Sequence, residues 1–257
     1  MSPLPHRIAL LTDVHANLPA LEAVLGHAAS QGVDEFWDAG DSLGYGAFPG
    51  ECLELLGRTC RRQVLGNYDA KVLKVPRRGA RWAKSKHPLK WEAFRWTWEQ
   101  LKTRQRERLA SLPHQVIETV AGHTLVLRHA VANALEELED GDQRTLIYQD
   151  LAREYAALDG PVVVLGGHLH HPYVDLAAGK ELALVVAGPV GRALGRDPRA
   201  HYTVLELSPG SCQATAHRVS YDTGRAADAI RREGQPEAFA VMVEKGIGLE
   251  EALAELR

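Results

Sequence analysis

Three times within the first seventy residues, an apolar run empties directly into a loop of polar side chains. Residues 7–12 lead into Asp13-Val14-His15-Ala16-Asn17, residues 33–39 into Gly40-Asp41-Ser42-Leu43-Gly44-Tyr45-Gly46, and residues 63–65 into Gly66-Asn67-Tyr68-Asp69. Leu18, Leu21, Val24 and Leu25 then share one face of a helix over 18–30, and Pro49 opens a helix to about Leu56. Strand, loop and helix repeated in this way predict parallel strands with right-handed crossovers, an α/β fold. Such sheets bind ligands in the loops beyond the strand ends. In extended chain, residues two apart point the same way, so Asp13 and His15 are expected side by side. A carboxylate beside an imidazole is half of a site for a borderline divalent metal. The alternative has Asp13 capping the helix and His15 on the surface.

Residues 71–108 have a different composition. They hold thirteen Lys or Arg against three Glu, and four of the five tryptophans. Residues 88–110 have helical spacing, with Trp91, Phe94, Trp98 and Leu101 on one face, which is expected to pack on the main body. The alternative is a basic, aromatic lid for a nucleotide or nucleic acid. Arg77, Arg78, Arg81 and Trp82 precede this helix and are expected to be freer to meet a ligand.

Strands are expected at 114–120 and 123–128, joined by the hairpin signal Ala121-Gly122, and the second delivers His129 at its end. A helix follows over 143–158. The buried strand 161–165 then empties into Gly166-Gly167-His168-Leu169-His170-His171. Further strands are expected near 173–177, 181–187, 202–208 and 212–219, with turns at Ala178-Gly179 and Pro209-Gly210. Two closing helices, 224–233 and 236–256, complete the chain. No repeat or linker divides it, so one domain over 1–257 is expected, with a helical insertion at about 71–110.

Of the 257 residues, 45% are hydrophobic and 25% charged, enough to bury a sizeable core. A formal charge of -3 gives no overall pull toward nucleic acid or membrane. The first apolar run is interrupted by Asp13 and His15, so neither a signal peptide nor a membrane span is expected. Cys52, Cys60 and Cys212 lack paired spacing, which points to reduced thiols and a cytoplasmic protein.

Five loops thus carry candidate ligands: Asp13 and His15; Asp41; Asn67; His129; His168 and His170. Two carboxylates, one amide and four imidazoles are too many for one tetrahedral zinc. They suit two metals sharing a bridging carboxylate. The order D-x-H, G-D, G-N-x-D, lone H and G-H-x-H resembles the calcineurin-like metallophosphoesterase superfamily. The similarity runs from residue 7 to about 208. The stretches 13–21 and 40–46, and Gly188-Pro189-Val190-Gly191 ahead of Asp197-Pro198-Arg199-Ala200, resemble its small bacterial and archaeal phosphodiesterase-like branch.

That resemblance implies a four-layer α/β/β/α sandwich of two mixed sheets. It implies that Asp13, His15 and His170 hold one metal and Asn67, His129 and His168 a second, with Asp41 bridging. It also implies that a hydroxide held between them attacks phosphorus. Asp41, Asn67 and His129 are then the expected catalytic residues, and Mn²⁺ the expected cation, with Fe, Zn, Ni or Mg as alternatives. The expected activity is hydrolysis of a phosphodiester or phosphoanhydride, on a small phosphate ester or a nucleotide. A dinucleoside polyphosphate hydrolase and a phosphoprotein phosphatase are alternatives within that chemistry, as is a nuclease acting through the basic segment. A non-catalytic scaffold, like the metallophosphoesterase-like subunit of retromer, is the alternative of another class. Its site residues are typically eroded, whereas all seven ligand positions are filled here.

One departure bears on mechanism. Tyr68 stands where the family usually has a His that protonates the leaving oxygen. A phenol, with a reference pKa of about 10, is a poor acid near neutrality. Substrates with good leaving groups, such as aryl esters or phosphoanhydrides, are therefore expected. Tyr68 and Arg192 are candidate substrate contacts, since Arg matches phosphate oxygens bidentately. Tyr45 is a candidate pocket wall, and His171, beside the ligand pair, a further candidate contact. A dimer face on the closing helices is an alternative to their packing on their own domain.

Overall fold

The computed structural model describes residues 4–176 and 182–257. The first half contains β1 (His6–Leu11), α1 (Leu18–Ser30), β2 (Glu35–Asp38), α2 (Pro49–Thr59) and β3 (Cys60–Gln63). Four helices follow: α3 (Asn67–Leu73), α4 (Val75–Ser85), α5 (Pro88–Gln100) and α6 (Thr103–Ala110). The second half begins with β4 (Gln115–Val120), β5 (His123–Arg128), α7 (Leu135–Glu139), α8 (Gly141–Glu154) and β6 (Val162–Gly166). It continues through β7 (Tyr173–Asp175), β8 (Leu182–Val186), β9 (Ala200–Ser208) and β10 (Ser211–Val219). The last helices are α9 (Thr223–Arg232), α10 (Glu237–Lys245) and α11 (Leu249–Glu255). The turn expected at Ala178-Gly179 lies outside the described residues. Among these, no helix is long and apolar enough to cross a membrane.

The strands form two mixed five-stranded sheets, ordered β10-β9-β1-β2-β3 and β4-β5-β6-β8-β7. Strands β1, β2 and β3 are parallel, as are β5, β6 and β8, while β9, β10, β4 and β7 pair antiparallel. The period of two along β1 sets the layers. Ile8 and Leu10 face inward against Leu125, Leu127, Val163 and Leu165 of the second sheet. Ala9 and Leu11 face outward against Leu21, Val24, Cys52 and Leu56 of α1 and α2. On the far side, Val126, Val164 and Leu184 pack under Leu138 of α7, Leu151 of α8 and Tyr155 at the end of α8. The result is the expected four-layer α/β/β/α sandwich. Because β1, β5 and β6 are covered on both faces, they read as continuous apolar runs.

Several boundaries differ from expectation, each for a physical reason. The strand expected at 63–65 lies at Cys60–Gln63. It is an edge strand whose Arg61 and Arg62 pair with Glu118, so it lacks an apolar signature. The helix expected over 88–110 is two helices. Leu101 turns extended and buries, and the Gln105 side chain accepts the Lys102 amide at 2.9 Å to start α6. The segment at Arg77 to Trp82 forms α4, a helix of its own. The final helix is broken at Gly246, whose φ of 62° is the left-handed cap that ends α10. Phe94 and Leu101 are buried against Leu43, Leu53, Val72 and Val75, with Trp91 and Trp98 half-buried beside them, so the aromatic stripe packs on the body.

The inter-sheet layer carries a direct test. Leu127→Ala, at a fully buried position, is expected to cost about 2–5 kcal/mol. Ile117→Ala, at an exposed position of the neighbouring strand, is expected to cost less than about 0.5 kcal/mol. Urea unfolding midpoints with unchanged slope check both.

Candidate metal centre

The polar loops that follow β1, β2, β3, β5 and β6 converge. Their backbone is unusual. Of nine non-glycine residues with positive φ, seven lie in these loops: Asp13, His15, Ala16, Asp41, Tyr45, His168 and His170. The extended geometry expected for Asp13 and His15 is therefore wrong. Left-handed turns bring the two side chains together instead. The helix cap is Asn17, whose side chain accepts the Ala20 amide at 3.2 Å, which leaves Asp13 for the site. Two glycines allow the loops to meet. A Cβ on Gly66 would lie 2.0 Å from the Asp41 amide nitrogen, and one on Gly167 would lie 1.8 Å from Thr12 Oγ1.

Asp13, His15 and His170 form one group able to hold a metal ion, and Asp41, His129 and His168 a second. In the first, His15 Nδ1 donates to the Leu43 carbonyl at 2.9 Å and His170 Nδ1 to the Arg192 carbonyl at 2.8 Å. A carbonyl can only accept, so both Nε2 atoms present lone pairs. Those two Nε2 atoms face each other at 3.3 Å. Asp13 Oδ1 lies 3.5 Å from His170 Nε2 and 3.8 Å from His15 Nε2, buried and without a hydrogen-bond partner. Its other oxygen accepts the His168 amide at 2.9 Å and the Thr12 hydroxyl at 2.9 Å. Three buried ligand atoms within 4.8 Å of one another suit a cation. Burial, reinforced by His170, holds the His15 pKa well below its ordinary value, and burial lowers that of His170. Neither ring therefore needs to lose a proton near neutrality.

The second group is anchored in the same way. His129 Nδ1 donates to the Ala39 carbonyl at 2.9 Å. Its Nε2 points at Asp41 Oδ2 at 3.3 Å and at the Asn67 carbonyl oxygen at 3.2 Å. His168 stands edge-on to His129, with ring centroids 5.2 Å apart. Burial disfavours a charged His129, but the Asp41 carboxylate outweighs it, and the His129 pKa is pushed up to about 10. A proton thus occupies the place suited to a second cation. All seven ligand residues expected from sequence are brought together in these two adjoining groups.

Tyr68 and Arg192 flank the first group. The Tyr68 ring stands edge-on to His15 at 5.1 Å, and its hydroxyl bonds that of Tyr45 at 2.7 Å. Burial, and the neighbouring Tyr45, raise the Tyr68 pKa. The Arg192 guanidinium lies over the Tyr45 ring at 4.7 Å, with Nη1 3.4 Å from His170 Nε2 and with Nε buried and unpartnered. Tyr45 itself is buried against Phe239 of α10. His171 is exposed beside the pair.

Sequence reasoning assigns no role to Asp38 and Asp69, yet both build the site. Asp69 accepts the Gly66, Ser42 and Leu43 amides at 3.0, 3.3 and 3.1 Å. Asp38 accepts the Gly40 amide, the Ser42 hydroxyl and the Gln63 amide group at 3.0–3.1 Å. A signal for Asp38 exists: it is a carboxylate set between Phe36-Trp37 and Ala39, and it must find partners when buried.

Comparison with known proteins agrees with this architecture. Residues 7–210 match the calcineurin-like phosphoesterase superfamily domain. An uncharacterised protein of Methanocaldococcus jannaschii is 27% identical over 251 residues, covering 90% of this chain and 94% of that protein. A solved metallophosphoesterase from Sphaerobacter thermophilus aligns with a TM-score of 0.70 at 27% identity, covering 95% of this chain and all of the other. A hypothetical protein from Pyrococcus horikoshii OT3 shares the fold, with a TM-score of 0.76 at 20% identity over 93% of this chain and 98% of its own. On the match over residues 7–210, the chain belongs to the calcineurin-like phosphoesterase superfamily.

Proposed function

We propose that the chain is one domain that hydrolyses a phosphodiester or phosphoanhydride with the help of two divalent cations. The observation that carries this reading is the pair of adjoining groups of carboxylate and imidazole side chains, one of which contains the buried, unpartnered Asp13 Oδ1. Asp13, His15 and His170 would hold one cation. Asn67, His129 and His168 would hold the other, with Asp41 shared. Mixed imidazole and oxygen donors suit Mn²⁺, Fe, Ni or Zn better than Ca²⁺, and Mn²⁺ is our assignment. Such cations supply activation of water and offset the charge of the phosphate ester. The three free thiols support a cytoplasmic location.

The remaining work falls to the chain's own residues. The Arg192 guanidinium, with its unpartnered Nε, binds phosphate oxygens across the first group. Tyr68 keeps its proton and donates a hydrogen bond, but its raised pKa makes it a poor source of a proton for a departing alkoxide. Asn67 contributes a neutral oxygen, which limits the negative charge that an anionic substrate meets. Asp38 and Asp69 fix the loop that carries Asp41.

Three outcomes are expected. Chelation should silence turnover of a bis-aryl phosphate and Mn²⁺ restore it, and Asp41→Asn should lower turnover by at least about 100-fold together with metal content. Retained activity in that variant, by assay and elemental analysis, refutes the shared-ligand role. Because His129 must lose its proton to bind a cation, cation uptake between pH 7 and 9 should release one proton, and affinity should rise by up to about tenfold per pH unit. Calorimetry in buffers of different ionisation enthalpy reads this, and zero release counts against it. Finally, rates across aryl esters should fall as leaving-group pKa rises, and Tyr68→His should flatten that slope. A flat wild-type series removes the leaving-group argument.

A further inference from the structure

Residues 71–90 carry eight Lys or Arg and no Asp or Glu, in a chain whose formal charge is -3. Among the described residues, none of these eight cations, Lys71, Lys74, Arg77, Arg78, Arg81, Lys84, Lys86 and Lys90, has a carboxylate within ion-pair distance. Elsewhere, surface arginines are routinely paired, as Arg95 is with Glu92 and Glu99 and Arg231 with Glu237 and Glu244. Eight unpaired like charges repel one another, so the arrangement is unfavourable unless an anion completes it.

The placement is ordered. At about 100° per residue, Arg77, Arg78, Arg81 and Lys84 fall on one exposed face of α4, in line with Lys74 at its N-cap. The opposite face holds Val75, Gly79 and Trp82, which pack on Phe94 and Trp91. An eleven-residue helix spans about 16 Å, more than one phosphate ester occupies. The patch also reaches the metal centre. Lys71 Nζ lies 4.7 Å from the Tyr68 ring centroid, and Tyr68 abuts His15. Burial, foremost, and the charges of Asp41, Lys86, Lys90 and Lys74 all act on the Lys71 ammonium group. A row of aromatic rings runs the same way: Tyr68 to Phe94 at 5.0 Å, then Phe94 to Trp82 at 6.1 Å, with Lys86 over the Trp82 ring at 4.8 Å.

We propose that the basic face of α4 and its flanking lysines binds single-stranded nucleic acid through its phosphates and leads the strand toward the metal centre. Tyr68 and Trp82 are partly exposed, with Phe94 buried between them, and a cationic track beside partly exposed rings is how such strands are held without base readout. A membrane surface fits less well. A basic helix that lies on lipid needs an exposed apolar face, and the apolar face of α4 is spent on packing. The large exposed hydrophobic residues all lie outside 71–110. The final step, delivery of a phosphodiester to the cations, rests on the phosphoesterase reading above; binding of the strand does not.

The test is fluorescence anisotropy of a labelled single-stranded oligonucleotide with the full chain, in chelator, over a range of salt. The wild type should bind with affinity that falls as salt rises. The variant Arg78→Glu/Arg81→Glu/Lys84→Glu should bind at least about tenfold more weakly, with a log–log salt slope smaller by about 2. All three positions are exposed, so circular dichroism and the melting midpoint should match the wild type. No oligonucleotide binding, or equal binding and slope in the variant, overturns the proposal. So does preference for inorganic tripolyphosphate or for phosphatidylserine vesicles over the strand. A chain that binds the strand in chelator but fails on a bis-aryl phosphate with Mn²⁺ refutes the hydrolytic reading and still supports this one.

Discussion

The Asp69 carboxylate holds the centre of this structure in place. By accepting the amides of Gly66, Ser42 and Leu43, it ties the loop after β2 to the loop after β3. Asp41 sits inside that clamp, with one oxygen accepting the Tyr68 amide at 2.6 Å and the other free to face His129. Three buried carboxylates, Asp38, Asp41 and Asp69, are thereby crowded together. Burial, then the charges of Asp41 and Asp38, push the Asp69 pKa up to about 8, and burial pushes that of Asp38 up to about 6. Such crowding is tolerable only because backbone amides and side-chain donors meet nearly every oxygen. The oxygen without a donor, Asp13 Oδ1, is the one that faces the two imidazoles.

The two sheets supply the rigid frame for that clamp. Apart from the loop after β3, each candidate ligand loop leaves a strand whose apolar side chains are locked in the inter-sheet layer or under a helix. With its ends fixed, a loop can hold residues such as Asp13, His15 and Asp41 in left-handed backbone that they would otherwise avoid. The histidines are fixed a second time. Carbonyls of Leu43, Ala39 and Arg192 orient His15, His129 and His170, so ring rotation and tautomer are set by the main chain.

Much of this was legible in the residues. The continuous apolar runs of β1, β5 and β6 are visible because those strands are buried on both faces. The candidate ligands Asp13, His15, His129, His168 and His170 are visible because they follow such runs. The edge strand β3 was misplaced because Arg61 and Arg62 carry no apolar pattern. The breaks at Leu101 and Gly246 were hidden because helical spacing continues across them, and only tertiary packing decides where the chain turns. The left-handed geometry of Asp13 and His15 was illegible for a different reason. It is imposed by neighbouring loops, through bonds such as the Asp13 amide to the Gly40 carbonyl at 2.9 Å, and not by local preference. The roles of Asp38 and Asp69 likewise depend on partners distant in sequence.

The concentration of left-handed residues at one edge also has a thermodynamic side. Each such residue costs about 1–2 kcal/mol relative to relaxed backbone, and the facing lone pairs of His15, His170 and Asp13 add repulsion. An ion that neutralised those lone pairs would bind the folded chain and find no equivalent site in the unfolded one. Mass action then adds its binding free energy to conformational stability. A cation at this centre would act as a folding ligand, making the chain's resistance to heat and protease a function of cation concentration.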